Sequence, residues 1–244
     1  MAFVYEIFSS IQGEGPLVGK RQIFVRFAGC PLRCYYCDTK YAYQIPKFSI
    51  IIARGKKYVR KNPLSGETIL QIVKSLETPD LHSISFTGGE PLIQEDLPEI
   101  LSLVNGEGYR TFLETAGYPS DLVQKIADFV DYASVDIKLP SHKAHKNPRE
   151  VIDSELRAIK ILHEAGAEVY VKIVVTEETT SDEILNAIDV LEPLDIEVIL
   201  QPVSSNSHIS VPIEKLLRIS EELGTIFGHE IRILPQVHKL IGLK

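Results

Sequence analysis

The chain has 244 residues, of which 44% are hydrophobic and 24% charged, and a formal net charge of −7 at pH 7. This is enough apolar material for one large α/β domain, but no apolar run approaches the roughly 20 residues of a membrane span. The acidic balance argues against broad nucleic-acid binding. Only three cysteines are present, all between positions 30 and 37, so no disulfide framework is available and a reducing, cytoplasmic setting is expected.

The N-terminal stretch MAFVYEIFSS has no basic segment followed by a long apolar one, so no targeting leader is expected. It leads through QGEG (12–15) to the first predicted strand, RQIFVRFAG (21–29), and then to the cysteine segment. No acidic residue lies between Asp38 and Glu67, whereas Lys40, Lys47, Arg54, Lys56, Lys57, Arg60 and Lys61 do. FSIIIARGKKYVRKN reads as two short strands around an RGKK turn, a basic hairpin inserted at about 41–66. Its plain reading is a solvated insertion; its sharper reading is a docking surface for an acidic partner.

Beyond the insertion, strands and helices alternate. β-Branched runs at 82–88, 109–115, 132–138, 167–176 and 196–203 are interleaved with helical spacing at 65–77, 94–108, 119–130, 153–166, 180–194 and 211–224. Helix starts are signalled at Ser120-Asp121, Asp153-Ser154 and Thr180-Ser181-Asp182, and helix ends at Gly106, Gly166 and Gly224. Six βα units of this length imply right-handed crossovers and a parallel sheet in a single domain spanning 1–244, with EIRILPQVH (230–238) as a further possible strand. In such a fold ligands gather where strands end. Cys30 to Thr39, TGGEP at Thr87, ETAG at Glu114, SVDIKLP at Ser134 and QPVSS at Gln201 are therefore expected on one rim.

The cysteines narrow the chemistry. A closed zinc site wants four ligands, and GCPLRCYYCDT (29–39) supplies three thiols and no histidine. Three thiolates suit iron and sulfide, and a four-iron cluster held by three leaves one iron open to a small molecule. A three-ligand catalytic zinc, a structural metal and a plain iron-sulfur electron carrier stay open on these residues alone. SFTGGEP (85–91) weighs against a carrier, because Gly88 and Gly89 let backbone approach a ligand and Glu90 offers a carboxylate to an ammonium group.

The Cys-x3-Cys-x2-Cys spacing followed by TGGEP resembles the radical S-adenosylmethionine superfamily. SSIQGEGPLVGKRQIFVRFAGCPLRCYYCDT (9–39), with LETAG, VDIKLPS, LQPVS and LPQVHKL, resembles within it the 7-carboxy-7-deazaguanine synthases over nearly the whole chain. The resemblance implies an incomplete TIM-like (β/α)6 barrel of the radical SAM type, with the basic insertion after the cluster loop. It implies the ring contraction of 6-carboxy-5,6,7,8-tetrahydropterin to 7-carboxy-7-deazaguanine with release of ammonia. A glycyl-radical activase carries the same cysteine spacing, but QGEG and an arginine suit a small carboxylate better.

The resemblance also implies residue roles. Cys30, Cys34 and Cys37 would hold the 4Fe-4S cluster and Thr39 a magnesium ion. Ile11, Gln12, Gly13, Glu14, Arg26, Thr87 and His238 would contact the pterin, Arg26 pairing with its carboxylate and Glu14 a candidate for proton transfer in the final elimination. Tyr36, Cys37, Asp38, Gly88, Gly89, Glu90, Glu114, Ser134, Val135, Asp136, Lys138, Gln201 and Ser204 would line the S-adenosylmethionine site, with Gln236 a further candidate. A homodimer, a flavodoxin or ferredoxin as reductant, and no direct nucleic-acid or membrane partner complete the expectation.

Overall fold

The structure, a computed structural model, describes residues 1–205, 208–228 and 231–243. Its strands are β1 (Val4–Ile11), β2 (Arg21–Phe27), β3 (Phe48–Ala53), β4 (Lys56–Lys61), β5 (Leu81–Gly88), β6 (Thr111–Thr115), β7 (Tyr132–Ile137), β8 (Glu168–Val175), β9 (Glu197–Pro202), β10 (Ser204–Ser205), β11 (His208–Ile209) and β12 (Ile231–Ile233). Its helices are α1 (Gly66–Leu76), α2 (Leu97–Gly106), α3 (Val123–Ile126), α4 (Pro148–Glu164), α5 (Ser181–Ile188), α6 (Ile213–Phe227) and α7 (Val237–Leu240).

Ten strands form one sheet in the order β12-β9-β8-β7-β6-β5-β2-β1-β3-β4. From β2 to β12 every neighbouring pair is parallel, each strand following its predecessor by a crossover, which is the predicted half-closed βα architecture with β12 as its last strand. The crossover helices cover one face. Ile23, Val25, Phe27, Ile84, Phe86, Val135, Val171, Ile173 and Val198 point into them and are buried in the main apolar core. The opposite face of β2 and β5 to β9 is the inner one, and it carries the polar residues.

The N-terminus departs from expectation. Residues 4–11 form β1, antiparallel to β2, with an irregularity in pairing between Val4 and Glu6. The basic insertion is a hairpin as predicted, turning at Arg54-Gly55, where both residues take positive φ (49° and 77°). It does not stand apart from the fold: β3 pairs in parallel with β1, so the hairpin lengthens the sheet and leaves β4 as its exposed edge.

Helix boundaries also shift. The segment 119–130 yields only the single turn of α3 and a 3-10 turn over Ala127–Phe129. Helix α4 starts at Pro148, a favoured first position, placing Asp153-Ser154 inside it. Helix α6 runs through Gly224 to Phe227, its apolar stripe of Leu216, Ile219, Leu223 and Phe227 outweighing the glycine. Thr180 caps α5 as expected, its side chain accepting the Glu183 N–H.

Candidate active site

The carboxyl ends of the parallel strands open onto a cavity of about 420 Å³. Its walls come from segments far apart in sequence: the QGEG loop, β2, the cysteine loop, and the ends of β5 to β9. The C-terminal segment also contributes, through Gln236, His238, Lys239 and Leu243.

The cysteine loop is braced by backbone rather than by disulfides. Gly29 donates its N–H to the Ala42 carbonyl (2.7 Å), Arg33 donates to the Ala144 carbonyl (2.8 Å), and the Gly29 carbonyl accepts from Glu90 (2.8 Å). All three thiols line the cavity as free cysteines. Burial, followed by the Glu90 carboxylate, pushes the Cys30 thiol up to about 12, and burial likewise raises Cys34. Metal binding at this loop must therefore displace protons. Thr39 also lines the cavity, its hydroxyl 3.5 Å from the Cys37 sulfur.

The two glycines of TGGEP are required sterically. A Cβ on Gly89 would stand 1.8 Å from the Gly29 carbonyl oxygen, and Gly88 has φ +123° with the Phe27 backbone pressed against it. Backbone is thus brought to the cavity beside the cysteine loop, the cradle expected for a small zwitterion. Gln201 adds a second mark of a ligand site: its Oε1 is buried, and it has no hydrogen-bond partner among the described residues.

A charged network forms the floor. Lys172, from β8, lies 2.5 Å from a Glu14 oxygen, 3.4 Å from Glu114 and 3.2 Å from Asp136. Lys138 pairs with the second oxygen of Asp136 at 2.7 Å. Burial alone would raise the Glu14 carboxyl, but the Lys172 ammonium and the hydrogen bonds from Lys172 and Gln236 hold it near 2. Burial likewise opposes charge on Lys172, and Asp136, Glu14 and Glu114 outweigh it, keeping its pKa well above the ordinary value. Thr87 donates to Glu114 (2.5 Å), tying β5 to this network.

The C-terminal segment straps the floor from above. Gln236 donates to Glu14 (2.7 Å) and to Asp38 (3.0 Å), Lys239 pairs with Asp38 (2.9 Å), and the Val237 N–H donates to the Gly13 carbonyl (2.9 Å). His238 lies so close over Gly13 that a Cβ there would meet its Nδ1 at 2.2 Å. Glu14, Asp38 and His238 present ligand atoms within 4.8 Å of one another, a group already bound up with Lys172, Gln236 and Lys239.

Tyr36 is fixed by His142. Its hydroxyl is 3.0 Å from His142 Nδ1, which also accepts the Leu139 N–H (3.0 Å), while Nε2 is 2.8 Å from the Val174 carbonyl. A carbonyl can only accept, so the proton sits on Nε2. Burial, then the nearby Lys138, lowers the imidazole to about 3.

On β2, Arg26 shares its face with Phe24, both lining the cavity, with the guanidinium over the Phe8 ring at 5.9 Å. Its Nε is held by Glu6 at 3.1 Å.

All but three of the site residues expected from the sequence line this cavity. Glu90 does not: its carboxylate turns away, accepting from Thr115 Oγ1 and from the N–H groups of Ala116 (2.8 Å) and Leu92 (3.0 Å). It organises the loop after β5 and, with burial the dominant cause, rises to about 7, so backbone and not its side chain meets the ligand here. Val135 faces the helices and belongs to the apolar core, because neighbouring strand residues point to opposite faces. Ser134 shares the inner face with Asp136 but is fully buried and outside the cavity wall. Sequence reading missed Lys172, Phe8, Phe24, Tyr41 and Lys239. A lysine within the otherwise apolar VYVKIVVT was the one available signal among them.

Residues 24–191 match the radical SAM superfamily. The chain is 36% identical to a 7-carboxy-7-deazaguanine synthase of Methanothermobacter thermautotrophicus over 99% of its own length and 97% of the relative's. It is 37% identical to one from Thermococcus kodakarensis, covering 98% and 97%. Among solved structures, that of QueE from Escherichia coli is similar with a TM-score of 0.60 at 21% identity, covering 97% of this chain and 94% of that one.

Proposed function

The chain belongs to the radical SAM superfamily and, within it, to the 7-carboxy-7-deazaguanine synthase family, and from that premise we propose how its residues carry out the ring contraction of 6-carboxy-5,6,7,8-tetrahydropterin. The observation that carries the reading is the convergence on one cavity of the three thiols, the Gly88-Gly89 backbone, and the QGEG loop with Arg26. A 4Fe-4S cluster on Cys30, Cys34 and Cys37, with S-adenosylmethionine at its open iron, supplies one-electron, hydrogen-abstracting chemistry. The donor set fits both groups: three clustered thiols, a side-chain-free backbone cradle and the unmatched Gln201 acceptor.

The protein's task is positioning. The Gly88-Gly89 backbone, Glu114, Asp136, Lys138, Gln201 and Ser204 would hold the cofactor, with Tyr36, Cys37 and Asp38 on its adenine side. Gln12, Glu14, Thr87 and His238 would hold the pterin edge, and backbone at Ile11 and Gly13 would assist. Arg26 would take the substrate carboxylate in the planar geometry that arginine favours. Glu14, kept ionised by Lys172, is an acceptor for ring N–H groups and could relay a proton in the closing loss of ammonia.

Charge balance supports the magnesium assignment. The cavity's carboxylates, Glu14, Asp38, Glu114 and Asp136, are matched by Arg26, Lys138, Lys172 and Lys239, and Glu6 already draws on Arg26. An anionic substrate would therefore meet no surplus of positive charge. A hard cation at Thr39 would supply it through oxygen ligands.

Partners and setting complete the reading. A flavodoxin or ferredoxin as electron donor is supported by the exposed basic strand β4 on an otherwise acidic chain. A homodimer rests on the family resemblance alone, and a cytoplasmic site on the three free thiols. Residues 1–244 form one domain, as the continuous sheet suggests.

The test is an anaerobic assay of reconstituted protein with S-adenosylmethionine, dithionite, magnesium and 6-carboxytetrahydropterin. 7-Carboxy-7-deazaguanine is expected, and Cys34→Ala should abolish it. Formation of 5′-deoxyadenosine without that product would mean the substrate is wrong.

A further inference from the structure

Glu6 has no place in the roles set out above, although it is fully buried in β1. It faces Arg26 directly across the β1–β2 ladder, so the two side chains share one face of the sheet and lie within reach. A buried carboxylate is costly unless it is paired and hydrogen-bonded. Its Oε1 takes two donors that both belong to the cavity wall, Arg26 Nε at 3.1 Å and the Tyr41 hydroxyl at 3.3 Å.

The choice of atom matters. A guanidinium presents its donors in a rigid plane, so fixing Nε fixes where the terminal nitrogens point. The Phe8 ring beneath the guanidinium restrains that plane from a second direction. Tyr41, two positions after Thr39, ties the same carboxylate to the segment that follows the cysteines.

We propose that Glu6 is a positioning residue for substrate recognition: by holding Arg26 through Nε and the Thr39–Tyr41 segment through the Tyr41 hydroxyl, it aims the arginine fork at the substrate carboxylate. Glu6 itself touches no substrate. Its contribution is orientation and not attraction, because its charge opposes that of the incoming carboxylate. A neutral side chain of the same shape that can still accept from Nε should therefore serve nearly as well.

The proposal rests on the reading of Arg26 as the carboxylate's partner, and the experiment separates the two. The reconstituted holoenzyme with S-adenosylmethionine and magnesium is titrated with 6-carboxypterin, an unreactive carboxylate, and with pterin, which lacks the carboxylate. The ratio of dissociation constants measures carboxylate recognition without turnover. Arg26→Ala should collapse that ratio. Glu6→Ala should lower it by roughly tenfold, the worth of a well-aimed charge-assisted hydrogen bond, while pterin binding and cluster iron content stay unchanged. Glu6→Gln should restore most of the ratio, which a purely structural loss would not predict.

If Glu6→Ala does not fold, Glu6→Asp serves, since it withdraws the carboxylate by one methylene and should lower the ratio several-fold. A wild-type ratio in Glu6→Ala or Glu6→Asp, with the ratio lost in Arg26→Ala, would overturn the role of Glu6 and leave Arg26 standing. A wild-type ratio in Arg26→Ala would overturn both.

Discussion

The Lys172 ammonium lies 2.5 Å from the carboxylate of Glu14, joining the middle of strand β8 to a loop at the other end of the chain. The same ammonium faces Glu114 and Asp136, so one buried cation is shared by carboxylates from both proposed ligand sites.

Replacing it should therefore have two consequences. Lys172→Met leaves three carboxylates without their shared cation, and removing one partner of a buried ionic group is expected to destabilise the fold by about 3 kcal/mol. Turnover should fall by about 100-fold or more, since the Glu14 loop would lose its anchor. Urea unfolding and product formation under one set of conditions check both.

His142 should give the fold a distinct acid sensitivity. Its imidazole is held at about 3, below the ordinary 6.5, so the unfolded chain takes up a proton as pH drops through 6.5 while the folded chain does not. Its contribution to stability is complete above pH 6.5 and is lost progressively between 6.5 and 3, at about 1.4 kcal/mol per pH unit. His142→Gln, which can still donate to the Val174 carbonyl and accept from Leu139, should show a pH slope shallower by one proton in urea titrations across pH 6.5 to 4.5.

Gly89→Ala should separate the cysteine loop from the loop after β5. Its methyl would lie 1.8 Å from the Gly29 carbonyl, a backbone atom that cannot swing aside. A stability loss of about 1–3 kcal/mol is expected, with lowered iron content after reconstitution and weakened S-adenosylmethionine binding by equilibrium dialysis.

The basic hairpin makes a kinetic prediction. Reversing Lys56, Lys57, Arg60 and Lys61 to glutamate should slow turnover by about tenfold with an acidic flavodoxin as donor, through slower encounter. Dithionite-driven turnover should be unchanged. Equal rates for both proteins with flavodoxin would mean that electrons enter elsewhere.

The βα alternation and the cysteine loop were legible because each rests on a local pattern: period in the strands, spacing in the thiols. Strand β1 was not, because Val4, Glu6, Ile7 and Phe8 are all buried and the pairing shift after Val4 breaks the alternation that marks a strand. Glu90 and Val135 were misplaced for a related reason: their neighbours face the cavity, and a one-residue step reverses the direction of a side chain. Lys172 could be recognised only once distant segments met, since its partners stand at positions 14, 114 and 136.

The backbone bracing of the cysteine loop bears on how the enzyme survives oxygen. Gly29, Arg33 and Glu90 hold the loop through main-chain hydrogen bonds that involve no sulfur. Stripping the iron should thus leave the frame standing, and a damaged molecule would need refilling and not refolding. Repair would then be limited by the supply of iron and sulfide, so the same polypeptide could pass through many cycles of injury and recovery.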